Sequence, residues 1–199
     1  MKKLNLLAKT ITGLAVLTAL VIVLQTFGGA IVIGPVQLNF TLIPIVLGAI
    51  LFGAWGGAFL GLVCGIVVLI QVICGLVPFY TLIWTGDPVA TTFTCTLKTT
   101  VAGLVAGLVY NIFKNKKQLL GVFLASAIVP IINTALFIVG CLCMTNSVYA
   151  LADDGNVFTF ILVSLVTFNF FVELALNLVV APAIKRVIEV INKSIGTKK

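Results

Sequence analysis

Histidine is absent from this chain, and its absence removes most zinc sites, Ser-His-Asp triads and Cys-His dyads at once. Charge is nearly as scarce: 9% of the 199 residues are charged, where a soluble domain carries roughly a quarter. Cys64, Cys74, Cys95, Cys141 and Cys143 include no Cys-x2-Cys pair and lie within or at the ends of apolar runs. Their expected role is packing, and Cys141 and Cys143 are too close in sequence to bridge well. No Gly-x4-Gly-Lys-Ser/Thr loop occurs, so nucleotide chemistry is not expected here. No metal or cofactor is implied.

What the chain has in abundance is apolar sequence: 61% hydrophobic residues and a mean hydropathy of +1.29. Too little polar sequence is left to cover a soluble surface, so lipid must be the solvent for most of the chain. The runs are rich in Leu, Val, Ile and Gly without strict alternation, which argues helices rather than a barrel. At ~20 residues per spanning helix, the sequence predicts an all-α membrane bundle of six spans forming one domain, 1–199. The spans fall at about 10–27, 39–53, 54–76, 88–112, 119–143 and 157–182. The second and third meet at Phe52-Gly53-Ala54-Trp55-Gly56-Gly57, read as a helical hairpin, and the last is expected to end at Pro182. The N-terminal run is read as a span rather than a cleaved signal, because no clean small-x-small site follows it.

The net charge of +7 suggests nucleic acid until the charges are placed. With six spans and both termini cytoplasmic, eleven of the twelve basic residues fall on one side, in clusters at 2–9, 114–117 and 185–199. Asp87, Asp153 and Asp154 fall on the other. This is the positive-inside pattern of a multi-pass cell-membrane protein, and membrane lipid, not nucleic acid, accounts for the basic residues.

Polar groups inside spans carry the functional signal, since each is costly unless paired or hydrated. Lys98 sits in the fourth span and Glu173 in the sixth. Two readings stand, and they are compatible: the residues form a structural ion pair, or Lys98 faces a polar cavity and meets an anionic group on a ligand. Asn169, Glu173 and Asn177 share one helix face at i, i+4, i+8. Asn133 follows Pro130, whose missing N–H frees a carbonyl that the amide can answer. Asn39 opens the second span and Gln71 lies in the outer third of the third. Trp84 belongs to an aromatic, turn-rich loop, 77–88, that either folds over a ligand or sits with Tyr80 in the headgroup belt. The expected substrate-binding residues are therefore Asn39, Gln71, Trp84, Lys98, Asn133, Asn169 and Glu173. Gly57-x3-Gly61-x3-Gly65 and Gly103-x3-Gly107 read as internal helix seams. Ala15-x3-Ala19 on the first span either packs internally or docks a partner.

The run Gln37-Leu38-Asn39-Phe40-Thr41-Leu42-Ile43-Pro44, continuing through Leu51-Phe52-Gly53-Ala54-Trp55-Gly56-Gly57-Ala58, resembles the second-to-third span hairpin of energy-coupling factor (ECF) transporter S components. Pro130-Ile131-Ile132-Asn133-Thr134, the size and the basic ends also fit, so the likeness covers nearly the whole chain. It implies a substrate-binding subunit, without enzymatic activity, that captures a water-soluble vitamin from outside. It also implies delivery by docking, through Ala15 and Ala19, onto a transmembrane coupling subunit that works with two cytoplasmic ATPases. The likeness is nearest the pantothenate subgroup, and an intramembrane lysine suits a carboxylate ligand. Riboflavin, folate and pyridoxine stay open as substrates.

Two readings from other classes compete with it. An intramembrane enzyme is left only a Ser-Lys arrangement, with Ser126 or Ser164 as nucleophile. A stand-alone carrier is expected to show inverted repeats, and the two halves of the chain show no convincing similarity.

Overall fold

The computed structural model describes residues 2–28, 32–33, 36–115, 117–144, 147–148, 156 and 159–194. Helix α1 (Lys2–Gly28) leads to a minimal antiparallel pair, β1 (Val32–Ile33) and β2 (Val36–Gln37), with Val32 opposite Gln37. Then follow α2 (Leu42–Ile73), a short α3 (Pro78–Gly86), α4 (Pro88–Phe113) and α5 (Gln118–Cys143). A π-helical segment, Phe160–Val166, runs into α6 (Thr167–Ser194). Among the described residues five helical stretches are long and apolar enough to cross a membrane.

One of those five is folded back on itself. Helix α2 breaks at Gly53, where φ is 80° and ψ is −176°, a region essentially reserved for glycine. Beyond the break the chain reverses: Thr41 Oγ1 lies 3.0 Å from Cys64 Sγ, whereas 23 residues of straight helix would separate them by about 35 Å. The expected hairpin is present, and its turn is Gly53 itself. The first arm, 42–52, is short, and Leu38 and Asn39, without regular secondary structure, precede it.

The second arm packs on α4 through the predicted glycine stripe. A Cβ at Gly57 would overlap the Gly103 carbonyl, one at Gly61 the Thr99 carbonyl, and one at Gly65 would lie 2.7 Å from the Cys95 carbonyl. The backbones therefore touch, and Thr99 Oγ1 donates to the Gly61 carbonyl at 2.7 Å across the seam. Small residues permit this approach, and close packing replaces the hydrophobic drive that lipid cannot supply.

Helix α1 is attached more lightly. It buries Leu17, Val21 and Gln25, an i, i+4, i+8 stripe, against α2 and leaves Ile11, Ala15, Ala19, Ile22 and Val23 exposed. The narrow stripe holds the helix while its remaining faces meet the surroundings.

Two expectations are corrected. Residues 77–88, read as a loop, contain helix α3, which Pro78 starts at its first turn as Pro88 starts α4; proline's missing N–H costs nothing there. The last helix does not stop at Pro182 but continues to Ser194. Glu189 lies 3.4 Å from Lys185 and 3.9 Å from Arg186 along that extension, the i,i+4 and i,i+3 pairing that supports exposed helix.

Candidate functional site

Helix α3 lies over the bundle with Phe79, Tyr80 and Ile83 buried beneath it. Phe79, Tyr80 and Phe137 of α5 form an edge-packed aromatic trio, with ring centroids 5.6–6.3 Å apart. This trio receives Lys98, which lies ten residues into α4, about 15 Å along its axis. Lys98 Nζ donates to Tyr80 Oη at 2.6 Å and sits 4.8 Å and 5.3 Å from the ring centroids of Tyr80 and Phe137. An ammonium buried in a bundle is costly, and a hydroxyl acceptor with two ring faces offsets part of that cost. An ammonium has three donors. One is used here.

Opposite stands Glu173 on α6. Its Oε1 accepts the backbone N–H of Asn39 at 2.9 Å, which ties the segment before α2 to the last helix. Asn169, Glu173 and Asn177 are all buried, so the predicted stripe faces inward, and Asn177 Nδ2 donates to the Glu173 carbonyl at 2.8 Å. Among the described residues the ion pairs within 4.0 Å are those of Glu189. Lys98 and Glu173 therefore do not form one.

Both charges nevertheless line one cavity of about 50 Å³. Gln25, Leu38, Asn39, Tyr80, Lys98, Asn133, Asn169 and Glu173 contribute to its wall, with Phe137 and Phe170 among the aromatic lining. Five of the seven expected residues, Asn39, Lys98, Asn133, Asn169 and Glu173, thus converge on a single space from four separate parts of the chain. Asn133 is 5% exposed and its Oδ1 has no hydrogen-bond partner among the described residues. Among the described residues no hydrogen bond runs from its Nδ2 to the carbonyl freed by Pro130.

Gln71 and Trp84 are not brought to this cavity. Gln71 is buried in a clamp with α1: Gln25 Nε2 donates to Gln71 Oε1 at 3.0 Å, and Gln71 Nε2 donates to the Gln25 carbonyl at 3.2 Å. Trp84 is half-buried on the far turn of α3, packed against the core. Sequence reasoning missed Gln25, Phe137 and Phe170, and left Tyr80 undecided. Gln25 was detectable as a lone amide at the end of an apolar run, the same signal that drew attention to Gln71. The aromatic residues carried no such signal.

A hydrogen-bonded chain links the clamp to the cavity. Cys64 Sγ lies 3.7 Å from Gln25 Oε1 and 3.0 Å from Thr41 Oγ1, which in turn bonds the Asn39 side chain. Among the described residues no group of His, Cys, Asp or Glu side chains could hold a metal ion. Ser126, buried on α5, is not among the cavity-lining residues, and the side chain of Ser164 lies outside the described residues. Ser126 Oγ has no hydrogen-bond partner among the described residues, so it brings no hydroxyl to Lys98.

A family model, that of the ECF transporter substrate-specific component, matches residues 9–185. The chain belongs to this family. It is a multi-pass membrane transport protein, the substrate-specific component of an ECF transporter and not an enzyme by family. No curated protein matches the chain, and no solved structure does.

Proposed function

We propose that this S component captures a water-soluble vitamin from the outside face, pantothenate or a close relative, in the cavity between Lys98 and Glu173. The observation that carries the reading is the convergence of polar side chains from otherwise apolar helices around Lys98. An ammonium with donors to spare, held by Tyr80 and two aromatic rings, favours a carboxylate in a dry site, where a charge-assisted bond is strong. The aromatic walls suit the apolar part of the ligand, and the amides of Asn39, Asn133 and Asn169 suit its hydroxyl and amide groups.

The cavity has room for a few water molecules, whereas small-molecule pockets run to several hundred Å³. Binding a vitamin therefore requires its walls to separate. The segment around Leu38 and Asn39 is the wall held by the fewest helical bonds.

In the membrane we place six crossings, counting the two arms of α2 separately, with both termini and the 114–117 loop in the cytoplasm. The basic residues favour this orientation. The exposed Ala15 and Ala19 of α1 form the docking face for the transmembrane coupling subunit, which works with two ATPases. Riboflavin, folate and pyridoxine are the competing substrates.

A thermal-shift panel of water-soluble vitamins on the detergent-solubilised protein tests the reading, without ATP. Stabilisation by pantothenate at sub-micromolar concentration is expected. Stabilisation by another vitamin alone would reassign the substrate, and no stabilisation by any would remove the capture role. Copurification with a coupling subunit and two ATPases tests the assembly.

A further inference from the structure

Two opposite charges line one cavity in a membrane protein without touching, and each is held by a neutral partner instead. Lys98 is fixed by Tyr80 Oη at 2.6 Å and Glu173 by the Asn39 N–H at 2.9 Å. A pair evolved only to neutralise itself would close to contact, because separation in a low-dielectric site forfeits the Coulomb gain that offsets burial. Here each ion bonds a neutral partner and the two stay beyond 4.0 Å. The cavity they share is lined by both hydrogen-bond donors and acceptors. Among the described residues Lys98 uses one of its three N–H groups, Glu173 has a second carboxylate oxygen, and the buried Asn133 Oδ1 has no partner.

We infer that the cavity selects a bipolar ligand, one with an anionic end for Lys98 and a hydrogen-bond-donating end, hydroxyl or ammonium, for Glu173 and Asn133. This rests on the reading of the cavity as the ligand site, and adds to it the requirement for a donor at the opposite pole. An anion lacking that donor would leave the second carboxylate oxygen of Glu173 and the Asn133 carbonyl desolvated and unpaired, which costs more than the bond itself contributes. A donor lacking the anion would leave Lys98 in the same position. Each end is therefore a selectivity element, and a plain fatty or aromatic acid is rejected as firmly as a neutral alcohol.

The test uses the full chain in detergent with Lys98→Met, Glu173→Gln and the double variant. The probes are pantothenate, panthenol (an alcohol in place of the carboxylate), N-butanoyl-β-alanine (the carboxylate without hydroxyls), 4-aminobutyrate and 6-aminohexanoate. Wild type is expected to bind each truncated probe about tenfold or more weakly than pantothenate. Lys98→Met is expected to stop distinguishing panthenol from pantothenate, and Glu173→Gln to stop distinguishing N-butanoyl-β-alanine. Pantothenate binding with no loss on removing either end would overturn the inference and leave vitamin capture standing. Binding of the amino acids but of no vitamin would support the bipolar rule and refute the vitamin. Binding of no probe and no vitamin would refute both.

A second measurement needs no ligand. Melting temperatures of the two single variants and the double are expected to shift additively. Single variants that melt lower, with the double restored toward wild type, would show that the charges serve each other and would overturn the inference.

Discussion

Gln25 and Gln71 exchange two hydrogen bonds, at 3.0 and 3.2 Å, between the C-terminal end of α1 and the second arm of α2. Both amides are buried in apolar surroundings, 7% and 8% exposed. The pair fastens a helix that otherwise holds by Leu17 and Val21, and Gln25 also lines the cavity. Replacing Gln71 by Ala orphans the Gln25 amide, a cost of about 1–3 kcal/mol. A lower melting temperature in detergent is expected, with ligand affinity reduced less than by changes at the cavity wall. A variant that melts like wild type but no longer binds would place Gln71 in direct contact with ligand instead.

Lys98→Ala is expected to weaken a carboxylate ligand by about 10- to 150-fold, the equivalent of a charged hydrogen bond of about 1.5–3 kcal/mol. Calorimetric titration of the purified protein checks it. Unchanged affinity would take Lys98 out of the site.

Substituting Leu at Ala15 or Ala19 should abolish uptake by the assembled transporter and leave ligand binding by the isolated chain intact. Both residues are exposed on the lightly held α1, so added bulk meets a partner rather than the core. Joint loss of uptake and binding would point to misfolding and against a docking role.

The φ of 80° at Gly53 makes the α2 hairpin sensitive to any side chain there. Gly53→Ala is expected to lose about 1–3 kcal/mol, even though a Cβ would meet nothing within 4 Å. Gly61→Ala fails for the opposite reason, since its Cβ would overlap the Thr99 carbonyl. Parallel melting curves distinguish the two: Gly53→Asn should cost about as much as Gly53→Ala, because the strain lies in the backbone and the space around it is open, whereas Gly61→Asn should be worse than Gly61→Ala.

Much of this was legible beforehand, and the gaps have physical causes. The start of α4 at Pro88 and the limits of α5 follow from apolar run length. The seam of Gly57, Gly61 and Gly65 follows from spacing. The helix over 78–86 was hidden because Pro78 and the Gly86-Asp87-Pro88 cluster are equally good turn formers, and only the buried face of Phe79, Tyr80 and Ile83 decides the matter. Proline at position 182 was overrated as a stop, since the charged pairs beyond it sustain the turn. The cavity residues were found as polar interruptions of apolar helices. Their mutual placement was not, because helix rotation is set by packing partners distant in sequence. Gln71 illustrates this: its signal equals that of Asn133, yet its rotation delivers it to Gln25.

The donor that meets Glu173 is a peptide N–H, supplied by Asn39 in the non-helical stretch before α2. Among point mutations at position 39, only proline deletes a main-chain donor. That wall is thus insulated from single-letter drift, and reshaping it calls for lengthening or shortening the strand connection ahead of Leu42. The helical walls contribute side chains and can be exchanged one at a time. New specificities in this lineage should accordingly arise first at positions such as 98, 133 and 169, against a fixed edge that passes unchanged from one ligand to the next.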